Sequence, residues 1–160
     1  MNHNDPNDIR QVKDFLKCHQ LAVIATGGDS GVPPESALIA FVEDDELAIY
    51  FQTSRYSRKA QNLIARPHVS LVIGLDLAEM QTLQYEGVAS QLQSATEIAA
   101  CKQRFLAKNS PTTPRYLERD DALLFKIIPT WISYSSYPDN AAPGQIKELI
   151  LSQRGALRRS

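Results

Sequence analysis

The hydroxyls and cations of one nine-residue segment are the residues of this chain whose types and spacing best fit a chemical task. They lie in Phe51-Gln52-Thr53-Ser54-Arg55-Tyr56-Ser57-Arg58-Lys59, where an apolar strand pattern runs into hydroxyls and then into a helix that opens with three cations. Hydroxyl donors, backbone N–H groups at a helix N-terminus and nearby Arg/Lys together suit a phosphate group. The same residues also fit an ordinary Ser-capped helix with a solvated basic face. Residue types alone leave both readings open.

The elements around this segment favour an antiparallel β protein. Asn7 can cap a helix over 8–19, with Ile9, Val12, Phe15 and Leu16 on one face. Apolar, β-branched runs predict strands at 21–26, 35–42 and 47–52, the last two joined by the acidic turn Glu43-Asp44-Asp45-Glu46 as a hairpin. A helix over 54–66 follows, with Tyr56, Ala60, Leu63 and Ile64 as its apolar stripe and Pro67 as its stop. Strands are then expected at 69–73 and 81–92, with Gly87 marking a bulge or bend, and a helix at 95–107. Runs at 123–128 and 131–137, separated by Pro129-Thr130, read as a strand pair, and 144–153 as a short closing helix. Six or seven mostly antiparallel strands with few helices exclude a doubly wound sheet and fit a closed or partly closed barrel with peripheral helices.

Composition narrows the function classes. The 160 residues suit one domain, with a core over about 8–137 and a C-terminal helix and tail over 143–160. A net charge of −1 gives no footprint for nucleic acid, and no apolar run is long enough to span a membrane. The N-terminus lacks signal-peptide character, so a cytoplasmic location is expected. Cys18 and Cys101 are expected as reduced, half-buried thiols, and the three histidines have no metal-ligand spacing. Neither GxGxxG nor the P-loop pattern occurs. No convincing general acid or base stands out; Tyr85, Tyr134 and Tyr137 are possible donors, though tyrosines on strands more often pack.

The order of these pieces resembles the FMN-binding split-barrel superfamily, that of pyridoxamine 5′-phosphate oxidase. The resemblance rests on Ser36 to Phe41, Thr53 to Lys59 running on to Asn62-Leu63, Arg66 to Gly74, Leu83 to Ala89 and Lys126 to Trp131. It implies a homodimer with FMN in a groove between subunits, the phosphate held by Thr53, Ser57, Arg58 and Lys59, with Phe51 and Gln52 adjoining. It further implies that backbone groups of Ser36, Ala37, Leu38 and Ile39 meet the flavin ring edge, with Thr82, Gln84 and Trp131 as looser contacts. The vitamin-B6 oxidases carry an Arg and a Lys where this chain has Ser36 and Phe41, and an Arg-x-His pair near the C-terminus that is missing here. Those departures argue against oxidation of pyridoxamine phosphate. The resemblance therefore implies an FMN-dependent oxidoreductase of another small molecule. The alternatives are a non-enzymatic, stress-linked flavin-binding protein, or a relative that binds the deazaflavin F420 or haem.

Overall fold

A computed structural model describes residues 5–27, 30–74, 76, 78, 80–108, 117–137 and 144–151. Its elements in chain order are α1 (Pro6–Cys18), β1 (Leu21–Thr26), β2 (Glu35–Glu43), β3 (Ile49–Ser54), α2 (Arg58–Ala65), β4 (His68–Ile73), β5 (Gln81–Gln91), α3 (Ala95–Lys108), β6 (Ala122–Ser136) and β7 (Gln145–Ile150). All seven strands belong to one antiparallel sheet in the order β3-β2-β1-β4-β5-β6-β7. A further pairing of β3 with β6 closes the first six into a barrel and leaves β7 outside on β6.

Closure depends on how β3 divides its edges. Only Phe41, Val42 and Glu43 of β2 pair with β3, opposite Phe51, Tyr50 and Ile49. On its other edge β3 pairs with β6 along its whole length, from Ile49↔Ile127 to Ser54↔Ala122. The barrel interior is the main core, with Ile24, Phe41, Ile49, Phe51, Leu71, Ile73, Leu83, Tyr85, Phe125, Ile127 and Ile132 fully buried. Phe51 stacks on Phe125 at 5.5 Å between ring centroids. Phe51 therefore turns its ring into the core.

The β2–β3 turn is held from inside. Leu47 adopts φ 66°, a left-handed conformation that costs a non-glycine residue about 1–2 kcal/mol. Asp44 Oδ1 accepts from the N–H groups of Glu46 and Ala48, and Tyr85, buried on β5, donates its hydroxyl to the carbonyls of Leu47 and Ile127, each 3.0 Å away. That geometry makes β3 begin at Ile49 rather than Leu47.

Three further elements differ from the sequence expectation. The helix α1 is capped by Asp5, whose carboxylate accepts from the Asn7 N–H, with Pro6 in the first turn, a position where its fixed φ suits a helix and its missing N–H costs nothing. Residues 122–136 form one strand, not two. Pro129 is tolerated because it lies between the part of β6 paired with β3, ending at Ile127, and the part paired with β7, beginning at Trp131. On the β5 side it sits at the bulge expected at Gly87, where the register shifts and a proline breaks no regular ladder. A Cβ on Gly87 would come within 2.6 Å of Ile127 Cγ2 and of the Ile128 carbonyl. Finally, Gln145–Ile150 is a strand and not a helix, because residues 131–136 of β6 offer an open edge whose backbone groups need partners. Residues beyond 151 in the expected C-terminal tail lie outside the described residues.

Replacing Tyr85 by Phe leaves the Leu47 and Ile127 carbonyls without that donor and should destabilise the fold by about 1–3 kcal/mol. Urea unfolding should show a lower midpoint with an unchanged m-value; an unchanged midpoint would mean that the hydroxyl contributes nothing to the closed turn.

Candidate functional site

The segment between β3 and α2 is fixed by its own hydroxyls. Thr53, buried at the end of β3, places Oγ1 3.0 Å from Ser57 Oγ. Ser57 caps α2, its Oγ accepting from the Ala60 N–H at 3.1 Å. The helix starts at Arg58 rather than at Ser54, so Tyr56 precedes it and is 77% exposed instead of joining the apolar stripe. Ile64 is likewise exposed, and Ala60 and Leu63 alone anchor the helix on the core. Arg58 and Lys59 occupy its first two positions, where the backbone N–H groups and helix dipole also favour an anion.

The two cations differ in setting. The Arg58 side chain is exposed, with Nε 3.4 Å from Glu35 Oε2. Lys59 is partly buried, and desolvation pulls its ammonium below the usual lysine range, opposed by the charge of Glu35. Further along α2, Asn62 Nδ2 donates to Thr26 Oγ1 at 3.1 Å and ties the helix to β1. Hydroxyls, a helix start and two cations thus follow one another within residues 53–59, and the chemistry such donors offer is the binding of a small oxyanion.

Beside this segment, β2 is paired on one side only from Glu35 to Ala40. Its ladder with β1 runs from Thr26↔Glu35 to Leu21↔Ala40, while its ladder with β3 is confined to 41–43. Where the two strands part, the edge holding Ser36, Ala37, Leu38 and Ile39 faces no other strand among the described residues. Ser36 and Leu38 are exposed, Ala37 is half-buried and Ile39 is in the core. Gln52, half-buried on β3, is adjacent to Thr53 on the opposite face of the strand.

The family profile described as pyridoxamine 5′-phosphate oxidase matches residues 9–136. The chain belongs to that family. Among solved structures, HutZ, the haem storage protein of Vibrio cholerae, superposes with a TM-score of 0.63 at 21% identity, covering 75% of this chain and 88% of that one. General Stress Protein 26 of Bacillus anthracis gives a TM-score of 0.65 at 23% identity, covering 80% and 93%. A haem-binding protein of Mycobacterium smegmatis gives 0.74 at 15% identity, covering 92% of this chain but 59% of its own. At these identities the likeness establishes the split-barrel fold with peripheral helices. A comparison with curated sequences gives no match.

Within this pyridoxamine 5′-phosphate oxidase family chain, the remaining expected contacts lie far from the hydroxyl–cation cluster. Thr53 is opposite Leu123 on β6, and Gln84 is opposite Ser133. Those two β6 positions are separated by roughly 30 Å of strand at about 3.3 Å per residue. Thr82, whose hydroxyl donates to the Ile73 carbonyl at 3.2 Å, lies further along still. Trp131 is half-buried opposite Glu86 on the outer face, and its Nε1 is shielded from solvent with no hydrogen-bond partner among the described residues. One protomer does not bring Thr82, Gln84 or Trp131 to Thr53.

The structure also places residues at the cluster that the sequence reading passed over. Asp121, just before β6, accepts from Ser54 Oγ at 2.5 Å, and Arg119 holds the same carboxylate through Nε at 2.8 Å and Nη2 at 3.0 Å. Its backbone carbonyl accepts from the Arg55 N–H at 2.8 Å, while Arg55 Nη2 donates to the Asp120 carbonyl. Ser54 Oγ in turn accepts from the Tyr56 N–H at 3.2 Å. The segment carrying Ser57 and Arg58 is therefore clamped to the β6 end of the seam. Nothing in the sequence links residues 54 and 121; only the β3–β6 register brings them together. Tyr85, a possible donor by residue type, is instead a core residue, and Cys18 is exposed and Cys101 buried, both free.

Arg119 and Ser54 hold the Asp121 carboxyl down at about 2, below its usual value near 3.8. A carboxylate depressed on folding favours the folded state above its unfolded value and loses that contribution as pH falls through its folded value. The Asp121 contribution should thus be complete above about pH 4 and fade towards pH 2. Asp121→Asn should flatten the acid limb of melting temperature against pH in that window; superimposable limbs would remove Asp121 from the account.

Proposed function

We propose that the chain is an FMN-binding flavoprotein that acts as a homodimer, with the flavin phosphate on Thr53, Ser57, Arg58 and Lys59. The observation that carries this reading is the convergence of the Thr53–Ser57 hydroxyl pair with two cations on the first turn of α2. A phosphate monoester carries a charge of about −1.5 to −2 and three acceptor oxygens, which these donors match. The half-buried Lys59 strengthens the fit, because an ammonium losing hydration gains most from an incoming dianion. The one-sided edge of β2 offers backbone donors and acceptors at Ser36 to Ile39 for the polar rim of the ring. When bound, the flavin supplies the electron-transfer chemistry; the chain positions it and limits water access.

Two features support the dimer. Thr82, Gln84 and Trp131 can share a ligand with Thr53 only if a second copy supplies them. The outer face also carries an apolar row, with Val23 of β1 opposite Leu38 of β2 on one side and Val72 of β4 on the other. Leu38 is 59% and Val72 40% exposed in the single chain, as expected of a surface that a partner covers. An oxidoreductase acting on a small molecule follows from the flavin. Pyridoxamine phosphate itself is disfavoured, because Ser36 and Phe41 provide no cation for a second phosphate. A cytoplasmic location is part of this proposal; separately, among the described residues no helix is long and apolar enough to cross a membrane.

A second reading, haem binding, draws on the two haem proteins among the structural neighbours. It needs an axial ligand, and the folded region offers His19, on the α1 side, and His68, exposed at the start of β4. In that reading the hydroxyl–cation cluster would meet a haem propionate, a singly charged carboxylate that uses fewer of its donors than a phosphate monoester does.

Titration with FMN should give a flavin absorption band that travels with the protein through gel filtration at dimer mass, whereas haemin should give no stoichiometric Soret band. Replacing both Arg58 and Lys59 by Ala removes two charge-assisted hydrogen bonds of about 1.5–3 kcal/mol each, a loss of at least about a hundredfold in FMN affinity. Affinity for riboflavin, which lacks the phosphate, should stay within a few-fold of wild type. Equal loss for both ligands, or for neither, would place the phosphate elsewhere.

A further inference from the structure

The cations of this site already have an anion beside them. Glu35 opens β2 opposite Thr26 of β1, and Thr26 accepts the hydrogen bond from Asn62 of α2. The strand thereby fixes Glu35 next to the first turn of the helix. Its Oε2 is 3.4 Å from Arg58 Nε, with the Glu35 side chain 18% and the Arg58 side chain 80% exposed. That separation is longer than a good charge-assisted hydrogen bond, and Oε2 is shielded from solvent and accepts no hydrogen bond among the described residues. The cations that interact with this carboxylate are Arg58, through Oε2, and Lys59.

We infer that Glu35 is a resident counter-anion of the site, which a phosphate monoester must displace from Arg58 in order to bind. The inference rests on the cluster being a phosphate site, as proposed above. Two cations and one carboxylate leave the local charge at one positive, whereas a phosphate monoester brings about −1.5 to −2. With Glu35 in place the bound state therefore carries excess negative charge, and the tethered carboxylate turns aside rather than leaving. Glu35 thus sets which anions are kept. It weakens the hold on a dianion more than on a monoanion, and it makes the ligand exchangeable instead of locked.

Glu35→Gln keeps the size of the side chain and removes its charge. The wild type and this variant would be titrated with FMN, riboflavin and inorganic phosphate by calorimetry, with thermal melts to check that both are folded. Removing one like charge within several ångström of the phosphate should tighten FMN binding about tenfold in the variant. Phosphate binding should tighten in step, riboflavin should not respond, and FMN affinity should fall more steeply with salt than in the wild type. Equal or weaker FMN and phosphate binding in the variant overturns the inference. A wild type that takes inorganic phosphate but no FMN would sink the flavin reading and leave Glu35 to be judged on phosphate alone. No binding of either by both proteins overturns both.

Discussion

The pairing of β3 with β6 is the constraint on which the rest of this molecule depends. Buried backbone groups need partners, and a strand that leaves its hairpin neighbour after three residues must find them elsewhere. β3 finds them on β6, and that choice closes the barrel and sets Phe51 on Phe125 in its centre. It also opens a one-sided edge on β2 and carries Ser54 to within hydrogen-bond reach of Asp121. The hydroxyl–cation segment is the continuation of β3 past this seam. Its position is inherited from the ladder, and its shape comes from the Ser57 cap and the Asp121 clamp.

Charge gives the site its character within that frame. Arg58 faces solvent and by itself would contribute little, as exposed ion pairs do. Lys59 is drawn inward, where an ammonium is costly and a partner correspondingly valuable. Between them stands Glu35, held by a strand and facing a helix start that favours anions. The arrangement differs from a plain solvated basic face in that half of it is buried and its hydroxyls are already aligned.

Much of this was legible in the sequence wherever a signal was local. The acidic turn after Val42, the bulge at Gly87, the stop at Pro67 and the Thr53–Lys59 segment each follow from residue types and spacing over a few positions. The failures are non-local. Pro129 reads as a strand breaker, yet β6 runs through it because three partners share that strand's edges and none needs its missing N–H. The last described segment has helical residue types, yet the open edge of β6 overrides that propensity. Asp121 and Glu35 look like ordinary surface acids until register places them beside Ser54 and Arg58. Family resemblance suggested FMN, whereas the residues alone suggested only an oxyanion.

The seam also bears on how the molecule acquires its shape. Ile49 and Ile127 meet across about half of the chain's length, so this ladder cannot zip from a local turn. Contacts of such long sequence separation lower folding rates, because loop closure comes before the gain in contacts. The hydroxyl–cation segment after β3 and its anchor at Asp121 thus come together only in the late, closed form. Any molecule that recognises the assembled segment selects against the open barrel and stabilises the closed form by mass action. Cellular ligand concentration would then govern how long the chain survives proteolysis, quite apart from any turnover it performs.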